Sequence, residues 1–167
     1  MSNVSQFIGS GWIPLETIEV TSTVTTVDFD SNINDTFNNY VVTSTHTLAV
    51  SASIACKLKT GDPSATINTG YRSLATLPTS TATTTNSNTV AASIAAYSGS
   101  FVVYFMNLRS SDAFKSIVSQ ATSYVGGQMY IQSYSNALIN TSIINGIQLS
   151  SSAISTGKFT LYGIQEL

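Results

Sequence analysis

The sequence lacks charged side chains to a degree that restricts its fold. Asp, Glu, Lys and Arg make up only 8% of the 167 residues, and the formal net charge is −2. Exposed helices usually carry these residues on their outer faces, so their shortage argues against helical bundles, coiled coils and doubly wound α/β folds. A surface with so little charge also favours association over a highly soluble monomer.

Cysteine and histidine each occur once, as Cys56 and His46. One cysteine excludes an intramolecular disulfide and a cysteine-rich metal site, and we expect Cys56 to pack as a small apolar residue. His46 has the strand parity of Val42 and Leu48, which predicts a partly buried histidine with satisfied hydrogen bonds. The sequence contains no nucleophile-elbow motif, no phosphate-binding loop and no cluster of basic residues. It therefore predicts neither an enzyme nor a nucleic-acid-binding protein, and it indicates no cofactor.

The longest apolar stretch, Val90–Leu108, does not read as a membrane helix. Ser98, Gly99 and Ser100 interrupt it in the middle, and its two flanks differ in composition. The first flank is rich in alanine, whereas the second is β-branched and aromatic. We predict two strands here, joined as a hairpin by a tight turn, and no membrane span. The first twelve residues also lack the features of a signal peptide.

Hydroxyl and β-branched side chains dominate what is present. Ser and Thr number 50, and Val and Ile number 27. These side chains suit a pleated surface, and Tyr40–Lys59 alternates apolar and hydroxyl residues as a half-buried strand does, one that we expect to be bent or split along its length. Further strands are expected at Glu16–Phe29, Gly70–Leu77, Phe114–Val125, Gln128–Asn136, Thr141–Ser150 and Lys158–Ile164, with a short helix as the alternative for Phe114–Val125.

Eight to ten such strands predict an all-β fold, an antiparallel β-sandwich of the jelly-roll type, with an immunoglobulin-like sandwich as the alternative. Residues 14–167 are expected to form a single domain after an N-terminal arm at residues 1–13. Pro78–Thr89 reads as a surface loop or an extended edge. Gly126 and Gly127 indicate a hinge or a turn.

An acidic segment has the alternating oxygen-bearing residues that a calcium site uses. Asp28, Asp30 and Asn32 could converge on one hard cation. However, Ile33 stands where an EF-hand has glycine, and Asn39 stands where it has a bidentate glutamate. We therefore expect a loop whose side chains bond their own backbone, and no metal, with calcium as the alternative.

The segment Gln128–Asn136 is the most plausible binding face in the sequence. Its alternation places Met129 and Ile131 on one side, which we expect to face the core. Aromatic rings with amides between them suit a wet protein interface or sugar stacking, and an ordinary outward face is the alternative. The residues expected on this outward side are Gln128, Tyr130, Gln132, Tyr134 and Asn136.

The two ends of the chain carry a family resemblance. Gly11–Thr17 reads GWIPLET and is followed by a strand that runs into Val27–Phe29, and Gly157–Ile164 reads GKFTLYGI. These ends resemble small structural proteins of tailed-bacteriophage virions, many of which end in Gly-x-x-x-Leu-Tyr-Gly-Ile. The terminal motif recurs in head-decoration, tail and fibre components. The resemblance implies a β-sandwich module, often trimeric, without catalysis.

Composition and resemblance together predict a non-enzymatic virion structural protein. The expected role is a capsid decoration or cement protein that binds the major capsid protein or other virion proteins. It is expected to be assembled in the host cytoplasm, and copies of the chain are expected to form a trimer. The alternative is a receptor- or glycan-binding module of a tail fibre or spike. The interface candidates are Trp12, Ile13, Gln128, Tyr130, Gln132, Tyr134, Phe159 and Tyr162.

Overall fold

A computed structural model describes residues 11–49, 52–61, 65–76, 83–89 and 91–165. Strands account for 69% of the structure and pair antiparallel in one sheet that curls into a half-barrel, and the described residues contain no helix. This confirms the all-β class and is consistent with the predicted antiparallel sandwich. Residues 1–10 of the expected N-terminal arm and residues 78–82 of the expected Thr-rich loop lie outside the described residues.

In the described part of the chain, no helix is both long and apolar enough to cross a membrane. The apolar stretch that the sequence analysis singled out forms strands instead.

The described ranges form twelve strands in this sheet, more than the eight to ten predicted. They are β1 (Trp12–Val20), β2 (Val24–Phe29), β3 (Asn39–Leu48), β4 (Ser53–Thr60), β5 (Ala65–Thr66), β6 (Tyr71–Thr76), β7 (Thr83–Thr89), β8 (Ala92–Ala96), β9 (Gly99–Met106), β10 (Lys115–Val125), β11 (Gln128–Leu138) and β12 (Gly146–Ile164). The predicted strand Glu16–Phe29 is in fact two strands that are interrupted at residues 21–23. Conversely, the predicted Thr141–Ser150 and Lys158–Ile164 belong to one strand, which starts only at Gly146.

The long strand β12 organises the sheet because it pairs on both sides along its length. Its first part, Gly146–Ser150, lies between β2 and β4, and its last part, Gly157–Ile164, lies between β1 and β3. The register shifts around Ile154, where β12 changes partners. A strand with apolar residues on both faces suits this central position.

The predicted hairpin in Val90–Leu108 is wrong. Strand β8 pairs with β4, whereas β9 pairs with β3 and β10. The connecting residue Tyr97 has φ 65° and donates its amide to the Ala52 carbonyl at 2.7 Å. This bend carries β8 across the inner side of β10 and β11. The turn signal was local, but strand pairing depends on partners distant in sequence.

The hairpin of β10 and β11 agrees with the sequence. Gly126 and Gly127 form its two-residue turn at φ 58° and 82°, a left-handed backbone that the hairpin twist requires and glycine adopts without strain. Pairing continues without a shift to Lys115 and Leu138. The hairpin therefore offers two well-defined faces, one inside the curled sheet and one outside.

The inner side of the sheet encloses the hydrophobic core. Cys56 lies in it fully buried, as expected, and burial raises the pKa of its thiol. The largest fully buried apolar and aromatic side chains are Phe29, Tyr40, Ile54, Leu58, Tyr71, Ile94, Phe105, Leu108, Ile117, Leu138 and Phe159.

Candidate functional site

The predicted orientation of strand β11 is wrong, although its alternation is right. Gln132, Tyr134 and Asn136 are buried, with exposed fractions of 3%, 8% and 4%. Met129 and Ile131, expected in the core, are 71% and 64% exposed. The strand therefore turns its amides inward and its apolar side chains outward.

Strand β8 explains this inversion. The side chain of Gln132 accepts a hydrogen bond from the Ala96 amide at 3.1 Å, and Asn136 donates to the Ser93 carbonyl at 2.9 Å. These amides satisfy backbone groups of a strand that crosses them, which removes the cost of burying both partners. Gln132 and Asn136 thus hold two layers together and are not free to bind a partner.

The interface candidates in β1 and β12 also differ in burial, since some are exposed and one lies in the core. Trp12 and Ile13 are 43% and 38% exposed, and Tyr162 is half-buried. Phe159 is fully buried, its ring 6.1 Å from that of His46 and 6.3 Å from that of Phe101 between centroids. Phe159 is therefore a core residue, which corrects its expected place at a subunit contact.

An aromatic cluster lies on the outer side of the sheet around Trp12. The Trp12 ring is 5.9 Å from Tyr104 and 5.6 Å from Tyr162 between centroids. Val41 pairs in the sheet with both tyrosines and is fully buried, although it lies outside the main core. The two sequence candidates Trp12 and Tyr162 therefore meet on one surface, as part of a small apolar cluster. Ile13, by contrast, lines a cleft of about 500 Å³.

We call the side of β3, β9, β10 and β11 that faces away from the core the outer sheet face. Among its described residues, no side chain is charged. Tyr124, Met129 and Ile131 are its most exposed apolar side chains, and Tyr124 lies directly opposite Met129 in the hairpin. The sequence pattern did not single out these three residues, because alternation marks two faces without indicating which one is covered. The other residues with outward parity include Thr43, Thr45, Ser100, Val102, Val118, Gln120, Thr122, Ser133 and Ser135.

The acidic segment holds a lysine in place of a metal. The Lys59 ammonium lies 2.5 Å from Asp28 and 2.8 Å from Asp30, while Asn32 donates instead to Glu16 at 3.0 Å. The predicted alternative of a calcium site therefore does not fit, because a buried cationic side chain already occupies the position between the carboxylates. Within the described ranges, no group of three or more His, Cys, Asp or Glu residues is placed to hold a metal ion.

This ion cluster shifts the ionisation of its members. Burial raises the pKa of Asp28, but hydrogen bonds from Lys59 and Gln148 and the Lys59 charge more than offset it, so the net pKa lies below 3.8. Burial lowers the pKa of Lys59, and its bonds to Asp28 and Asp30 reverse this, so the net pKa lies above 10.5. Asp28 and Lys59 are thus held in their charged forms at neutral pH.

His46 is the satisfied, buried histidine that its parity predicted. It is 4% exposed, with Nδ1 3.2 Å from the Ser44 hydroxyl and Nε2 3.1 Å from the Tyr97 carbonyl. Burial lowers the pKa of its imidazole. The neutral imidazole carries one N–H, so only one of its two ring nitrogens donates a hydrogen bond in these contacts.

No protein-family model matches the chain, and a comparison with curated proteins finds no match.

Proposed function

We propose that the protein is a non-enzymatic virion structural protein, a capsid decoration or cement protein that binds the major capsid lattice through its outer sheet face. The observation that carries this proposal is the exposure of Tyr124, Met129 and Ile131, at 65%, 71% and 64%, on a face whose described residues carry no charge. Exposed apolar side chains grouped on such a face are typical of protein contact surfaces.

The pairing of the two chain ends supports the same proposal. The segments that resemble virion proteins lie in β1 and β12, which form one antiparallel ladder from Trp12 opposite Ile164 to Val20 opposite Gly157. Residues distant in sequence thus form one structural unit, which is a reason for both motifs to occur in the same chain. Trp12 and Tyr162 from this ladder extend the apolar surface of the sheet.

The proposed mechanism is mechanical. Extensive antiparallel pairing holds the outer sheet face rigid, so the protein binds without reordering its contact residues. A specific interface requires roughly 1,200 Å² or more of buried surface. Repetition over a lattice, and the expected trimer of this chain, multiply contacts that are individually weak. Added contacts between neighbouring capsid subunits then raise the barrier to their separation.

Capsid binding by surface variants tests this proposal. Purified protein is added to capsids that lack it, and bound copies are counted by gel densitometry. We expect hundreds of copies of the natural chain, and at least a tenfold lower occupancy for a Met129→Ser, Ile131→Ser double variant. Ile143→Ser is the matched control, because Ile143 is an exposed apolar residue, at 42%, outside the outer sheet face.

Each outcome separates a different part of the proposal. Equal occupancy by the double variant would exclude the outer sheet face as the contact. A count of a few dozen copies or fewer in natural virions would favour the alternative, a receptor- or glycan-binding module of a tail fibre or spike. Absence of the chain from virions would exclude both roles.

A further inference from the structure

Two tyrosine rings meet at the turn end of the β10–β11 hairpin, on its inner side. The ring centroids of Tyr97 and Tyr130 are 6.1 Å apart with an interplanar angle of 44°. Tyr134 has the same strand parity as Tyr130 and lies buried further along the same side of β11. The Tyr130 hydroxyl donates to the Gln128 side chain at 2.8 Å. We call these residues, together with Ser123, the tyrosine cluster.

The backbone of Tyr97 is held in a conformation that disfavours its own side chain. Its φ of 65° lies in the left-handed region, where a bulky residue is strained and glycine is not. Its amide is bonded to Ala52, and its carbonyl is bonded to His46. An aromatic ring at a position better suited to glycine indicates that the ring itself is used.

Ser123 supplies an unpaired hydroxyl beside these rings. It lies directly opposite Tyr130 in the hairpin and next to Gly99 on β9. The residue is 3% exposed, and its Oγ is buried without a hydrogen-bond partner among the described residues. Such a group is costly to bury, and hydroxyls and amides placed among aromatic side chains are what orient a small ligand.

We propose that the tyrosine cluster binds a neutral carbohydrate. Tyrosine rings offer flat apolar faces for the C–H faces of a sugar ring, while Gln128 and Ser123 offer partners for its hydroxyls. The ligand is neutral because none of the side chains that form the cluster carries a charge. This inference does not rest on capsid binding, because the cluster lies on the opposite side of the hairpin from the outer sheet face.

Binding of the full chain to an array of neutral hexose and N-acetylhexosamine oligosaccharides tests the proposal, followed by titration of the best probe. We expect Tyr130→Ala to weaken binding at least tenfold. Tyr124→Ala is the matched control, since Tyr124 lies on the outer side of the same hairpin and is 65% exposed. Ser123→Ala should weaken binding several-fold without lowering the melting temperature, a combination that a purely structural serine does not give.

Two results would overturn the proposal. One is an array without a neutral oligosaccharide that binds; if Tyr130→Ala also loses capsid occupancy, the cluster is a protein contact instead. The other is equal loss of binding in Tyr124→Ala and Tyr130→Ala, which places the sugar elsewhere. Capsid occupancy that stays normal in Tyr130→Ala while the oligosaccharide is lost supports both proposals independently.

Discussion

Replacement of Lys59 by methionine should destabilise the fold through the ion cluster that links β2 to β4. The Lys59 side chain is 5% exposed, while Asp28 and Asp30 are 30% and 45% exposed. Methionine keeps the length of the apolar stem, so the substitution removes the ammonium and little packing. It leaves the partly buried Asp28 carboxylate without its cation.

The magnitude follows from the two contacts. A hydrogen bond to a charged group contributes about 1.5–3 kcal/mol, which applies to the better buried Asp28. The contact with the more exposed Asp30 is discounted for solvent screening to about 0.2–1 kcal/mol. We therefore expect Lys59→Met to lower the free energy of unfolding by about 3 kcal/mol at pH 7.

The loss should depend on pH in a defined way. The folded-state pKa of Asp28 lies below 3.8, so its stabilising contribution is present above that value and is lost as the pH falls through the folded pKa. The folded-state pKa of Lys59 lies above 10.5, so its contribution is lost as the pH rises through that pKa. The stability curves of the variant and the natural chain should converge at both extremes. His46 titrates in both proteins and cancels in the difference.

Urea denaturation across the pH range measures this difference. Lys57→Met is the matched control, because Lys57 lies on the same strand and its ammonium reaches Asn68 in an exposed contact of 2.8 Å. The control should change stability by less than about 0.5 kcal/mol. The reasoning fails if the two variants lose equal stability, or if the loss in Lys59→Met does not shrink below pH 4.

Two further predictions concern packing inside the sheet. Gln132→Ala leaves the amide of Ala96 in β8 without its side-chain partner and should lower the free energy of unfolding, measured by urea denaturation, by about 1–3 kcal/mol. The control Gln120→Ala, on the outer sheet face, should lower it by less than about 0.5 kcal/mol. Similar losses in the two variants would contradict the role of the Gln132 amide between the layers. Gly163→Ala would place a methyl group 2.5 Å from the nearest atom of the Phe37 ring and should cost about 1–3 kcal/mol. A double-mutant cycle with Phe37→Ala should recover part of that loss, whereas strict additivity would show that the ring is not the cause.

The sequence alone determined the all-β fold class, although one hairpin and several strand bounds were predicted wrongly. Scarce charge and abundant hydroxyl and β-branched residues indicate sheet, because composition can be read without knowing which residues pack together. The Gly126-Gly127 turn was predictable for the same reason, since the backbone that a short hairpin needs favours glycine. The buried state of His46 followed from the alternation along β3.

Only the tertiary structure decided which face of a strand is covered and which strands pair. The alternation in Gln128–Asn136 distinguishes two faces of the strand. Strand β8 crosses one face and gives the side-chain amides there backbone partners. The polar face is therefore buried, and Met129 and Ile131 are exposed. Lys59 occupies the position between two acidic residues that lie 29 or more positions away in the chain. Such contacts form between segments distant in sequence, and periodicity within one segment carries no information about what packs against it.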